Sequence, residues 1–158
     1  LESEEFMRQR RIAREIALQV LYSLEVMGME AGEAIELYWA HHDASVDARP
    51  FSSLLIEGTW EHRDQIDSLI GSCSENWSIA RMSKVDKSIL RMAVFELCFC
   101  ADIPPKVTMN EAIDLGKVYG SENSGSFING ILDALYVKLG KKEADQEITS
   151  GVLEEPKQ

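Results

Sequence analysis

The stretch Arg10-Arg11-Ile12-Ala13-Arg14-Glu15-Ile16-Ala17-Leu18-Gln19-Val20-Leu21-Tyr22 decides the fold class. Ile12, Ile16, Val20 and Leu24 recur every four residues, and Ala13, Ala17 and Leu21 lie on the adjacent line. That is a broad apolar stripe with helical period. It predicts a helix over residues 10–26, stopped near Gly28. The same period continues downstream. A second helix is expected between Gly32 and Ala40. A third starts at Pro50, which suits a first helical turn, and runs through Leu54, Leu55, Gly58, Ile66, Leu69 and Ile70. Residues 72–77 read as a turn or short helix. Ser83, with Asp86 three residues on, opens a central helix rich in apolar residues from Val85 to Phe99. Pro104-Pro105 ends it. Val107 to Val118 forms another helix stopped by Gly120, and Phe127 to Leu139 the last, stopped by Gly140. No strand alternation is visible, so the class is all-α.

The domain plan follows from the same pattern. Residues 1–9 read as a flexible N-terminal segment, 10–140 as one helical domain and 141–158 as a mobile polar tail. The chain has 158 residues and a formal net charge of −11. That length can bury roughly 70% of the unfolded surface, enough for a core without disulfides. The acidic balance excludes polyanion binding by the whole surface but not by a local patch. No apolar run approaches the ~18 residues of a membrane span, and no signal-peptide pattern opens the chain. The three cysteines, Cys73, Cys98 and Cys100, form no CxxC pair and fit a reducing compartment. Asn76-Trp77-Ser78 matches a glycosylation pattern that means nothing without secretion. A cytoplasmic protein is expected.

Catalytic chemistry is not visible. There is no P-loop, no GxGxxG after a strand and no GxSxG. His41, His42 and Asp43 are adjacent and diverge on a helix, and His62 is remote, so no metal set forms. Cys98 and Cys100 diverge by about 200° on a helix and read as buried or half-buried structural thiols. Trp39, Trp60 and Trp77 read as core residues of amphipathic helices. No catalytic residue, metal or cofactor is expected.

The feature left over is basic. Arg8, Arg10, Arg11 and Arg14 cluster at the start of the first helix, behind an acidic lead-in that includes Glu2, Glu4 and Glu5. Four cations at a helix N-terminus oppose the macrodipole, so local stability does not account for them and a bound anion would. Arginine presents a planar fork to phosphate and stacks on bases. A solvated face paired with acids elsewhere is the competing reading, at even weight on charge alone. Tyr22, eight residues beyond Arg14, falls near the same ridge. Phe127, at the first turn of the last helix, can leave the core. Taken singly, both read as core or edge-of-core residues.

Four segments together resemble the NusB family of bacterial transcription antitermination factors. They are Arg10 to Tyr22; Val85-Asp86-Lys87-Ser88-Ile89-Leu90-Arg91-Met92-Ala93-Val94-Phe95-Glu96-Leu97; Pro105 to Lys117; and Gly120-Ser121-Glu122-Asn123-Ser124-Gly125-Ser126-Phe127-Ile128-Asn129-Gly130-Ile131-Leu132-Asp133. They occur in the family's order and spacing, around a divergent middle from Gly28 to Ala80. The resemblance implies seven helices in two packed bundles and a non-enzymatic RNA-binding protein. It implies pairing with NusE, a small-subunit ribosomal protein, on boxA-type RNA of ribosomal RNA operons, within an antitermination complex on RNA polymerase. A homodimer is left open. By resemblance, Arg10, Arg11, Arg14, Tyr22, Asn123 and Phe127 contact RNA and Asp86 lies near the NusE surface. Ile12 stands where the family commonly has a further arginine, Asn123 where an aspartate is usual, and Gly116 where an alanine is. Three or four cations give a salt slope of only about −2 to −3, so a second protein on the same RNA makes physical sense. The other readings are a helical interaction scaffold that never touches RNA, the RNA-binding part of a ribosomal RNA methyltransferase, and a duplex-DNA helix-turn-helix protein, disfavoured because no helix presents a polar and basic recognition face.

Overall fold

The computed structural model describes residues 3–43, 46–75 and 78–140. The expected tail at 141–158, Leu1-Glu2 and the Asn76-Trp77 pair lie outside the described residues. Seven α-helices and two 3-10 turns make up the described chain, with no strand among them. The helices are α1 (Glu4–Met27), α2 (Ala31–His41), α3 (Arg49–Glu61), α4 (Arg63–Cys73), α5 (Lys84–Phe99), α6 (Pro105–Tyr119) and α7 (Ser124–Lys138). Helices α1, α2 and α3 pack on one another as one bundle, and α4 to α7 form a second. Helix α5 is the shared element, touching α1 and α3 on one side and α4, α6 and α7 on the other. Its residues from Asp86 to Leu97 are all buried. None of the described helices is long and apolar enough to cross a membrane.

Helix α1 begins six residues earlier than the apolar stripe predicts. Ser3 caps it, its Oγ accepting from the Phe6 amide at 3.1 Å. Glu4 and Glu5 fill the first turn, where the helix dipole favours carboxylates. Glu5 then takes hydrogen bonds from Arg8 and from Gln9 at 2.8 Å. The arginines therefore sit in the second and third turns, clear of the positive end of the dipole, which corrects the expectation that they oppose it. The other end is as expected: Gly28 adopts a left-handed φ of 67° and its N–H reaches the Leu24 carbonyl.

The expected single helix from Pro50 to Ile70 is two helices. His62 interrupts it with φ −98° and ψ 15°. Arg63 folds back so that Nη1 donates to the Trp60 carbonyl at 2.6 Å, and the His62 ring stacks on Phe99 at 4.4 Å. The break lets α3 face α1 while α4 faces α5 and α7. Trp39 and Trp60 pack partly buried against the core, as expected of lone tryptophans. Cys73 is half-buried and Cys100 buried, but Cys98 is exposed, which corrects its reading as a buried thiol. Burial, with Glu96 and Asp102 nearby, pushes the Cys100 thiol up to about 11, so it stays protonated and unreactive.

Close packing of α3 on α5 depends on Gly58. A Cβ there would lie 2.1 Å from Phe95 Cζ. That ring is 4% exposed and stacked 5.2 Å from Phe99, so it has nowhere to swing. Gly58→Ala should cost about 1–3 kcal/mol in urea unfolding. Gly32→Ala, in α2 with open space around the new methyl, should instead stabilise by about 0.5–1 kcal/mol.

Ion pairs bridge the helices. Arg91 on α5 clamps Asp67 on α4 with two bonds of 2.7 Å and reaches Glu25 on α1 at 2.9 Å. Lys87 also bonds Glu25. Burial works against the Glu25 charge, but Lys87 and Arg91 outweigh it and hold its carboxyl below the usual range. A lowered carboxylate contributes stability above its unfolded pKa and loses it as pH falls through the folded value. Stability should thus fall on acidification below about pH 4.5. Glu25→Gln should flatten that part of the decline, read as the urea midpoint against pH, and an unchanged acid limb would refute the assignment.

Candidate RNA-binding surface

Because α1 and α5 run antiparallel, the site residues separate into two groups. Arg14 meets Glu96 near the end of α5, whereas Glu25 meets Lys87 near its start. Tyr22 therefore lies beside the start of α5, and the arginines lie toward its far end. Arg14 and Tyr22 are about 12 Å apart along the axis.

Arg14 is not on a surface ridge. It is 2% exposed, and its guanidinium makes three contacts of 2.7–3.2 Å with both carboxylate oxygens of Glu96. Thr108 on α6 donates to the same carboxylate at 3.1 Å. The sequence reading of Arg14 as an RNA contact is corrected on this ground: α1 is enclosed on most of its circumference, and the side chain is an internal tie. Arg11 is half-exposed but engaged, bidentate to Glu111 at 2.9 and 3.0 Å and reaching Asp114 at 3.3 Å. Glu111 is the principal cause that raises its pKa, so Arg11 stays cationic. Arg8 is exposed and bound to Glu5. Arg10 differs. Its guanidinium carbon lies 3.9 Å from the Phe51 ring centroid and 4.8 Å from that of Phe6, a cation–π seat with no ion pair to a carboxylate among the described residues.

The aromatic and polar candidates do converge, at the start of α5. Tyr22, 42% exposed, lines a groove of about 360 Å³ with Leu18, Val85 and Tyr119. Around the α5 N-terminus a second groove of about 350 Å³ is lined by Ser83, Asp86, Asn123 and Phe127. Ser83 caps α5, its Oγ accepting from the Asp86 amide at 3.1 Å, as the sequence predicts. Asn123 precedes α7, makes no side-chain capping bond and is exposed at the groove. The turn before it is fixed by Ser124 Oγ, which accepts from the Ser121 amide at 2.9 Å. Gly120 permits that turn, since a Cβ there would lie 2.3 Å from the same Oγ.

Sequence reasoning missed Tyr119 and Arg81. Tyr119 is also 42% exposed, and burial together with Glu15 raises its phenol pKa. Its position one residue before the Gly120 stop hid it. Arg81 lies in the 3-10 turn Ile79–Arg81, next to the divergent middle of the chain. His41, His42 and Asp43 are exposed, and no cluster of metal-binding groups occurs among the described residues.

Comparison with known proteins gives consistent results. The NusB family model matches residues 11–137. A transcription antitermination protein NusB from Syntrophus aciditrophicus (strain SB) is 88% identical over 92% of this chain and 90% of its own length. The solved structure of T. maritima NusB superposes with a TM-score of 0.71 at 38% identity, covering 80% of this chain and 89% of that one. A crystal structure of antitermination factors NusB and NusE in complex with dsRNA contains a chain with TM-score 0.75 and 33% identity, covering 84% of this chain and 98% of that one. From the family match across nearly all described helices, and from relatives whose role is transcription antitermination rather than catalysis, the chain belongs to the NusB family.

Proposed function

We propose that this chain is an antitermination factor that binds boxA-type single-stranded RNA jointly with NusE. On this reading it acts in the cytoplasm, on transcripts of ribosomal RNA operons, as part of an assembly with RNA polymerase. The observation that carries the reading is the convergence of Tyr22, Asn123 and Phe127 on the grooves at the start of α5. An exposed Tyr22 ring and a half-buried Phe127 ring beside polar groups suit unstacked bases of a single strand. The similar NusB–NusE complex with dsRNA supports an RNA-and-NusE association of this kind. Arg10 and Arg11 supply phosphate contacts from the far end of α1, and Arg14 supports them from inside.

With Arg14 internal, the cation count drops to two or three, so the salt slope for RNA should be near −1 to −2 at ~0.7 per phosphate. Affinity for RNA alone should be modest, and NusE should raise it by adding contacts to the same strand. Fluorescence anisotropy of a boxA-like strand at two salt concentrations, with and without NusE, tests this. A second reading, a helical scaffold that binds NusE but no RNA, draws on the carboxylates that occupy Arg8, Arg11 and Arg14. Tight NusE binding with no RNA signal at either salt would establish it instead.

A further inference from the structure

Among the four arginines of α1, Arg10 meets aromatic rings where the others meet carboxylates. Glu5 holds Arg8, Glu111 and Asp114 hold Arg11, and Glu96 holds Arg14. The Arg10 guanidinium instead lies over Phe51 of α3 and over Phe6, one turn back on its own helix. Glu5 and Asp47 line the same groove of about 300 Å³, yet neither pairs with Arg10 among the described residues. Glu5 is taken by Arg8 and Gln9. The Phe51 ring is held from within: the Arg14 guanidinium lies over it at 5.3 Å and is fixed in turn by Glu96. Phe6 reaches Arg10 because Ser3 starts α1 ahead of the apolar stripe.

We propose that Phe6 and Phe51 are positioning residues that present Arg10 to a phosphate of the bound strand. The inference rests on the RNA reading above and deepens it. Arginine has many rotamers, and ordering such a side chain on binding costs affinity. A guanidinium already seated on a ring has met part of that cost before the strand arrives. The ring attracts through its quadrupole and carries no formal negative charge. A carboxylate does the reverse, since bidentate pairing takes the same N–H fork that a phosphate needs. Arg11 on Glu111 is in that state. Without the rings, Asp47 and Glu5 in the same groove compete with the phosphate for Arg10.

The test measures binding of a boxA-like strand by the full chain with NusE at low salt, where phosphate contacts weigh most. Phe6→Leu should weaken binding about 2–5-fold with little change in the urea midpoint, because Phe6 is exposed. Phe51→Leu should weaken it similarly at some cost in stability, because Phe51 packs against the core. Phe51→Tyr, which keeps the ring face, should bind as the unsubstituted chain does. In an Arg10→Ala background neither leucine substitution should weaken binding further. Leucine losses that multiply with the loss in Arg10→Ala would overturn the inference and leave the rings as supports of the fold. Undiminished binding by both leucine variants would overturn it too, as would equal losses in Phe51→Tyr and Phe51→Leu. No binding by the unsubstituted chain would overturn the RNA reading and this inference together.

Discussion

Glu96→Ala should lower the unfolding free energy by about 3–5 kcal/mol. Glu96 is 2% exposed in the helix that both bundles share. Its carboxylate receives the Arg14 guanidinium from α1 and the Thr108 hydroxyl from α6. Removing it strands a guanidinium whose side chain is 3% exposed and so lies away from bulk solvent. The loss should not be read as the net worth of the pair, because desolvating both charges already offsets much of their attraction. Hence Arg14→Met combined with Glu96→Leu should recover most of the stability lost in Glu96→Ala. Urea unfolding of Glu96→Ala and of the double variant measures this directly. A single-variant loss below about 1 kcal/mol, the size of an exposed pair, would show that Arg14 reaches solvent after all.

The second large effect concerns RNA. Tyr22→Ala with Phe127→Ala should weaken binding of a boxA-like strand by at least about 25-fold, taking 1–3 kcal/mol per stacked base at the low end for each ring. Neither ring is among the most buried: Tyr22 is 42% exposed and Phe127 half-buried. Because Phe127 packs partly buried against the core, stability should fall by about 1–2 kcal/mol while the fold is kept. Arg10→Ala should weaken binding less and make the salt slope shallower, because it removes a phosphate contact and not a base contact. Arg14→Ala should behave oppositely, lowering stability and affecting RNA only through the fold. Arg10→Ala and Arg14→Ala with equal effects on RNA and on stability would contradict the separation of these two arginines.

Much of the architecture was legible because burial in helices leaves a periodic trace. The Ile12, Ile16, Val20, Leu24 line, the apolar run of α5 and the Gly28 and Gly120 stops all fall where the period and the stop residues put them. The break at His62 left no trace, since the apolar period runs straight through it and tertiary packing alone makes the kink. The start of α1 lies outside the apolar stripe because its first two turns are largely polar and exposed, although Ser3 with Glu4 and Glu5 is itself a helix opening. Arg14 carries a similar lesson. Leu18 and Leu21 stand four and seven residues beyond it, so it shares their buried line. Glu96, a lone acid in the most apolar helix, was the matching half of the pair. The convergence of Tyr22, Asp86, Asn123 and Phe127 around one helix start comes from the packing of α1 on one side of α5 and α7 on the other. No local spacing encodes it.

Everything proposed for RNA depends on where the strand lies. Photo-crosslinking a 4-thiouridine-substituted boxA-like strand to the full chain with NusE, followed by mass spectrometry of the adducts, locates it. Adducts at Tyr22, Tyr119 and Phe127 are predicted. Adducts confined to the groove between α1 and α2, around Met27, Leu37 and His41, would contradict the proposed RNA path.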